Sequence, residues 1–201
     1  MIPQKMWITV RWCLALEGGC AQTPTQEPDH LSKLRRQTER NEQLNQEKQF
    51  ERIVKDERTE QKSRTSKQFP LPKILTEEAL YTEIIRAYQT RQIDAVSHYT
   101  GEFLQRYPNS VFADSALYLR GELSLIMGFT AEALRDFEQI VDDYPAGKKY
   151  VAALYGKAVC YRKLQLYNYA EQALNDLNKS FPGSPESVKV PLEQRMLQAE
   201  R

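Results

Sequence analysis

Ala116-Leu-Tyr-Leu-Arg-Gly-Glu-Leu-Ser-Leu-Ile-Met-Gly128, followed by Phe129-Thr-Ala-Glu-Ala-Leu-Arg-Asp-Phe-Glu-Gln-Ile-Val-Asp-Asp-Tyr-Pro145, decides the fold of this chain. Its opening triplet, Ala116-Leu-Tyr118, recurs as Ala79-Leu-Tyr81 and as Ala153-Leu-Tyr155, with starts 37 residues apart each time. Its closing aromatic–proline pair recurs in step, as Tyr107-Pro108, Tyr144-Pro145 and Phe181-Pro182. A fixed period of this size is the mark of a stacked repeat architecture.

Each unit reads as a helical hairpin. In the middle unit, Val111 to Met127 carries apolar residues at helical spacing and Gly128 breaks the run. A second helix is predicted from Thr130 to Asp143, with Ala133, Phe137, Ile140 and Val141 on one face. Tyr144-Pro145 ends it, because proline has no amide hydrogen and pushes the preceding residue out of the α region. The next unit repeats the plan, with helices predicted at 151–164 and 167–180 before Phe181-Pro-Gly-Ser184. One hairpin cannot bury both of its apolar faces, whereas about three stacked ones share a continuous core.

The internal spacing resembles the tetratricopeptide repeat. Gly121, Ala133, Phe137 and Pro145 fall where that family places small, small, aromatic and proline residues, and Ala158, Ala170, Leu174 and Pro182 repeat the set. The first unit is looser, with Ile84 at the first small site and Ala95 one residue out of phase. The family unit is roughly 34 residues, so each unit here carries three more, between the proline and the next helix. Phe103-Leu-Gln-Arg-Tyr-Pro-Asn-Ser110, Ala116-Leu-Tyr-Leu-Arg-Gly-Glu122, Ala131-Glu-Ala-Leu-Arg-Asp-Phe137 and Phe181-Pro-Gly-Ser-Pro185 resemble the variant found in bacterial envelope proteins. The family most similar is that of the Tol–Pal-associated cell-division coordinators (CpoB/YbgF); outer-membrane assembly lipoproteins of the BamD type use a similar unit. The resemblance covers roughly residues 75 to 187. It implies an all-α, right-handed solenoid and a non-enzymatic scaffold that links Tol–Pal and outer-membrane constriction with peptidoglycan synthesis. The alternatives are a lipoprotein of outer-membrane protein assembly and a cytosolic adaptor.

The front of the chain has a different composition. Residues 1–21 hold Lys5, an apolar run from Met6 to Leu16 interrupted by Arg11, and Glu17-Gly-Gly-Cys-Ala21. That layout predicts a secretory signal, and hence a periplasmic protein; Cys20 is the candidate lipidation site, although Glu17 departs from the lipoprotein pattern. Residues 22–72 form a linker and a charged arm rich in Arg, Lys, Glu and Gln. The resemblance implies a coiled coil there. Leu31, Leu34, Leu44, Phe50, Ile53 and Val54 do not sustain a heptad, and an all-polar helix is solvent-bridging or marginal. The expectation is a solvated helix or a disordered arm, leaving self-association open. The repeat domain spans 73–187, and 188–201 forms a C-terminal helix or tail.

The residues suggest binding rather than chemistry. His30 and His98 have no metal-ligand partners at helical spacing, and Cys160 sits beside Ala158 in a packed helix, as a buried thiol would. No cofactor is expected. The net charge is +1 with both signs interspersed, which does not supply the basic stripe that nucleic acid requires. In tetratricopeptide stacks the first helices line a concave groove. Carried over by position, Tyr81, Tyr118 and Tyr155 would form a ladder along it, flanked by Tyr88, Glu122 and Arg162, and would receive a protein partner; the resemblance implies a Tol–Pal component or a part of the peptidoglycan synthesis machinery. Tyrosine suits such a surface because it offers large contact area and a polar handle at low entropy cost.

Overall fold

The computed structural model describes residues 29–64, 69–71 and 76–201. The signal-like segment, Cys20 and the linker after it lie outside the described residues. The chain divides between Glu39 and Arg40 into two compact units, and the contacts below belong to the second.

Eight α-helices make up the described chain: α1 (Asp29–Arg64), α2 (Glu77–Gln89), α3 (Ile93–Arg106), α4 (Ala113–Met127), α5 (Thr130–Asp143), α6 (Tyr150–Lys163), α7 (Tyr167–Ser180) and α8 (Val190–Glu200). α2–α3, α4–α5 and α6–α7 are hairpins, each packed on the next, and the first helices α2, α4 and α6 also touch in succession. The fold is the expected all-α hairpin solenoid.

The period shows in the backbone itself. Tyr107, Tyr144 and Phe181 end α3, α5 and α7 at nearly the same dihedrals, φ −130°, −128° and −130° with ψ 55° in each. Pre-proline sterics set that geometry. The same turn then closes each unit, with Ser110, Gly147 and Ser184 donating their amides to the carbonyls of Tyr107, Tyr144 and Phe181.

The longer connections are tied down across repeats. The Asp114 carboxylate of α4, only 3% exposed, accepts the Lys149 amide at 2.9 Å and so caps α6. Glu77, one period earlier, accepts from the Ser110 hydroxyl at 2.5 Å. Gly147 is required beside this cap, since a Cβ there would lie 2.7 Å from Asp114 Oδ2. These tethers explain where the helix starts differ from the sequence expectation. α4 begins at Ala113, leaving Val111 75% exposed, and α6 begins at Tyr150.

The core is built in three layers through the hairpins. Leu80, Ile84, Val96 and Phe103 fill the first layer, Leu117, Leu134, Phe137 and Ile140 the second, and Leu174, Leu177 and Val190 the third. Leu104 and Tyr144 pack against both of the first two layers. α8 stacks on α7 as the first helix of a further unit would, with Val190 and Leu197 buried. Its exposed Arg195 occupies the slot that Gly121 and Ala158 hold in the hairpins, which makes that slot polar in α8.

The charged arm is helical from Asp29 to Arg64, and part of it docks. Phe50 and Ile53 pack against the second core layer, while Leu44 stays 48% exposed. Glu57 accepts the amides of Ala131 and Glu132 at 3.1 and 2.9 Å. It thereby caps α5, whose own N-cap, Phe129, makes no side-chain cap bond.

Candidate partner-binding face

α4 shows how the first helices divide their labour. Tyr118 and Glu122 lie one turn apart on one side, and Arg120 and Ser124 lie on the other. On the second side the Arg120 guanidinium grips Asp136 of α5 through bonds of 2.6, 3.0 and 3.1 Å. The first side carries the tyrosine ladder.

All three ladder tyrosines are half-buried, and each is touched by the next unit. Tyr81 stacks on Phe112, with centroids 4.8 Å apart and planes at 17°. Lys149 places its ammonium 4.8 Å from the Tyr118 ring, and Lys189 lies 5.3 Å from that of Tyr155. These are contacts in which a cation is drawn to the negative ring face. Neither lysine forms an ion pair within 4 Å among the described residues. Burial, and then Glu122 and Glu186, raise the Tyr118 hydroxyl above its ordinary value.

The flanking residues are brought together unequally. Tyr88 donates to Glu122 Oε2 at 2.7 Å, and burial followed by that bond pushes its hydroxyl up to about 12. Arg162 is buried and faces inward to α8. Its Nε meets Glu193 at 2.8 Å and its Nη1 meets Glu200 at 2.5 Å, while Tyr155 donates to Glu193 at 3.1 Å. Arg162 therefore anchors α8 and presents little of itself to a partner.

Sequence reasoning missed the ladder's continuation. One period beyond Tyr155 stands Leu192, 53% exposed, and Met196 extends the column of Ile85, Glu122 and Val159 at 38% exposed. The period itself was the signal, since Val190-Pro-Leu192 falls 37 residues after Ala153-Leu-Tyr155. Ile126 and Met127 add exposed apolar surface at the end of α4.

Other candidate groups are packing elements. Cys160 is fully buried, and burial pushes its thiol well above the ordinary range, which keeps it protonated and inert. His98 lies against the rings of Phe69 and Tyr99. Among the described residues no cluster of His, Cys, Asp and Glu could hold a metal ion, and no helix is long and apolar enough to cross a membrane.

Stacked helical hairpins with one exposed, aromatic-lined side define a repeat protein of the protein-interaction class. Residues 152–184, spanning α6 and α7, match the tetratricopeptide repeat family model. No curated protein matches the chain.

Proposed function

We propose that the protein is a scaffold of the bacterial cell envelope that captures a segment of a partner protein along its first helices. The observation that carries this is the ladder Tyr81, Tyr118, Tyr155 and Leu192, which keeps one aligned row partly open to solvent across four helices. Rings already held by Phe112, Lys149 and Lys189 give a partner a firm surface, so little side-chain entropy is lost on binding. The open lysines at its edge favour a segment that carries carboxylates among apolar residues.

The resemblance of the repeats to the cell-division coordinators makes components of the Tol–Pal system and of peptidoglycan synthesis the leading partners. The signal-like first 21 residues support export to the periplasm, and Cys20 supports the lipoprotein alternative of outer-membrane protein assembly. Intact mass and fractionation of the protein from its own host test this reading. A chain beginning at Gln22 in the soluble periplasm agrees with the coordinator role. An acylated Cys20 in the outer membrane favours the assembly role, and Met1 retained in the cytosol overturns both.

A further inference from the structure

Tyr161 and Tyr169 are where the third hairpin departs from the repeat. One period earlier the same two positions hold Ser124 and Glu132, and one period before that Ala87 and Ala95. Stacking of the hairpins therefore does not require rings there. The two rings nevertheless stand together, late in α6 and early in α7, with centroids 5.6 Å apart. Between them and the docked stretch of α1 lies a cavity of about 180 Å³, lined by Glu47, Phe50, Glu138, Tyr161, Leu166 and Tyr169.

The lining combines aromatic rings with negative charge. Phe50, Tyr161 and Tyr169 supply the rings, Glu47 and Glu138 the charge, and no basic residue lines the cavity. Ring faces carry negative potential, so rings and carboxylates together draw a cation. Tyr161 already attracts one from the chain itself. Lys157 lies 5.7 Å from its centroid and 3.7 Å from Glu138, but it lines the neighbouring α6–α7 furrow and not this cavity. The carboxylates are partly used as acceptors, since Tyr161 donates to Glu138 at 2.9 Å and Tyr169 to Glu47 at 3.3 Å. Burial, and then Glu138, push the Tyr161 hydroxyl above its ordinary range, so it remains a donor at neutral pH. What the carboxylates offer the cavity is charge more than free acceptor atoms. That favours a cation with no N–H groups to satisfy over a primary ammonium, which brings three. The space is smaller than the roughly 300 Å³ at which pockets for drug-sized ligands begin, so the ion must be compact.

We propose that this cavity binds a small quaternary ammonium ion, with Phe50, Tyr161 and Tyr169 as its walls and Glu47 and Glu138 as the balancing charge. Glu47 and Phe50 come from α1 and the other lining residues from α5, α6 and α7 or the turn between the last two. The bound ion therefore also clamps α1 onto the stack. None of these residues belongs to the tyrosine ladder, so the ion and a protein partner have separate sites.

The test is a titration of the full chain with choline, followed by chemical shifts and by amide exchange. Saturation at millimolar choline is expected, with shifts centred on Phe50, Tyr161 and Tyr169 and slower exchange along α1 around Phe50. The uncharged tert-butyl analogue of choline should bind about tenfold more weakly or not at all. Tyr169→Leu, which removes one wall, should weaken choline binding by about tenfold. Glu47→Lys places a cation at the exposed edge and gives a second block if Tyr169→Leu does not fold; it should weaken choline and leave the uncharged analogue unaffected. Phosphatidylcholine vesicles identify the source of the ion. Vesicles that bind the chain, and lose it with Glu47→Lys, assign a lipid head group, whereas binding of choline without binding of vesicles assigns a free ion. Absence of saturation, equal affinity for the uncharged analogue, or undiminished affinity in both variants would overturn the proposal.

Discussion

Gly156 sits where the ring of Phe137, carried by the preceding hairpin, crosses α6. A Cβ at this position would meet that ring at 2.7–2.9 Å. Gly156→Ala gains about 0.5–1 kcal/mol of helix propensity but overpacks a filled core, at a cost of about 1–3 kcal/mol. The account therefore expects a net loss of stability, read as a lower denaturant midpoint. Tyr88 gives a pH-dependent prediction. Its folded value of about 12 exceeds the ordinary 10.0, so folding favours the neutral hydroxyl. Its stabilising contribution is complete below pH 10 and fades as pH rises through 12. Ultraviolet titration of Tyr88→Phe should show one fewer among the late-ionising tyrosines, which also include Tyr155 and Tyr161, and a smaller alkaline loss of stability. The Tyr88–Glu122 bond joins residues 34 apart in the chain. The sequence placed both beside the ladder but did not reveal that they bond to each other.

At the scale of elements, α1 is the clearest case of long-range supply of a local need. α5 begins after Phe129, whose side chain cannot accept an amide proton, and Glu57 from more than 70 residues earlier fills that role. Glu57→Ala should lower stability by about 0.5–2 kcal/mol, the range of a lost N-cap. Glu57→Gln, which keeps an acceptor oxygen, should lose less, as calorimetry of the two variants will show. α5 and α7 were legible to the residue because an aromatic–proline pair dictates each end. α4 and α6 were not, because their starts depend on Ser110 and Asp114 meeting the neighbouring repeat. The docking of α1 was illegible too. Phe50 and Ile53 do not form a heptad, yet they suffice against a second core layer that periodicity alone cannot position. Arg162 looked like a flank of the ladder because its carboxylate partners, Glu193 and Glu200, lie on α8, a helix whose triplet lacks both alanine and tyrosine.

For the whole molecule, the stack divides into two sides with different uses. The first helices hold an aligned ladder of Tyr81, Tyr118, Tyr155 and Leu192, and the opposite side binds the chain's own α1 and Phe69 segments. On the proposed reading the tyrosines fixed by inter-repeat contacts also recognise the partner, so removing one should affect binding more than folding. Tyr118 is the rung to change, because its neighbours Phe137 and Lys149 belong to α5 and to the connection leading into α6, which other contacts hold. The most direct measurement is calorimetric titration of the full chain, and of folded Tyr118→Ala, with purified components of the Tol–Pal system. The account predicts saturable binding to one of them and a loss of about tenfold or more, at least about 1.4 kcal/mol, in the variant. Binding of equal strength by both proteins would contradict the ladder as the site, and no binding by either would contradict the envelope-scaffold reading.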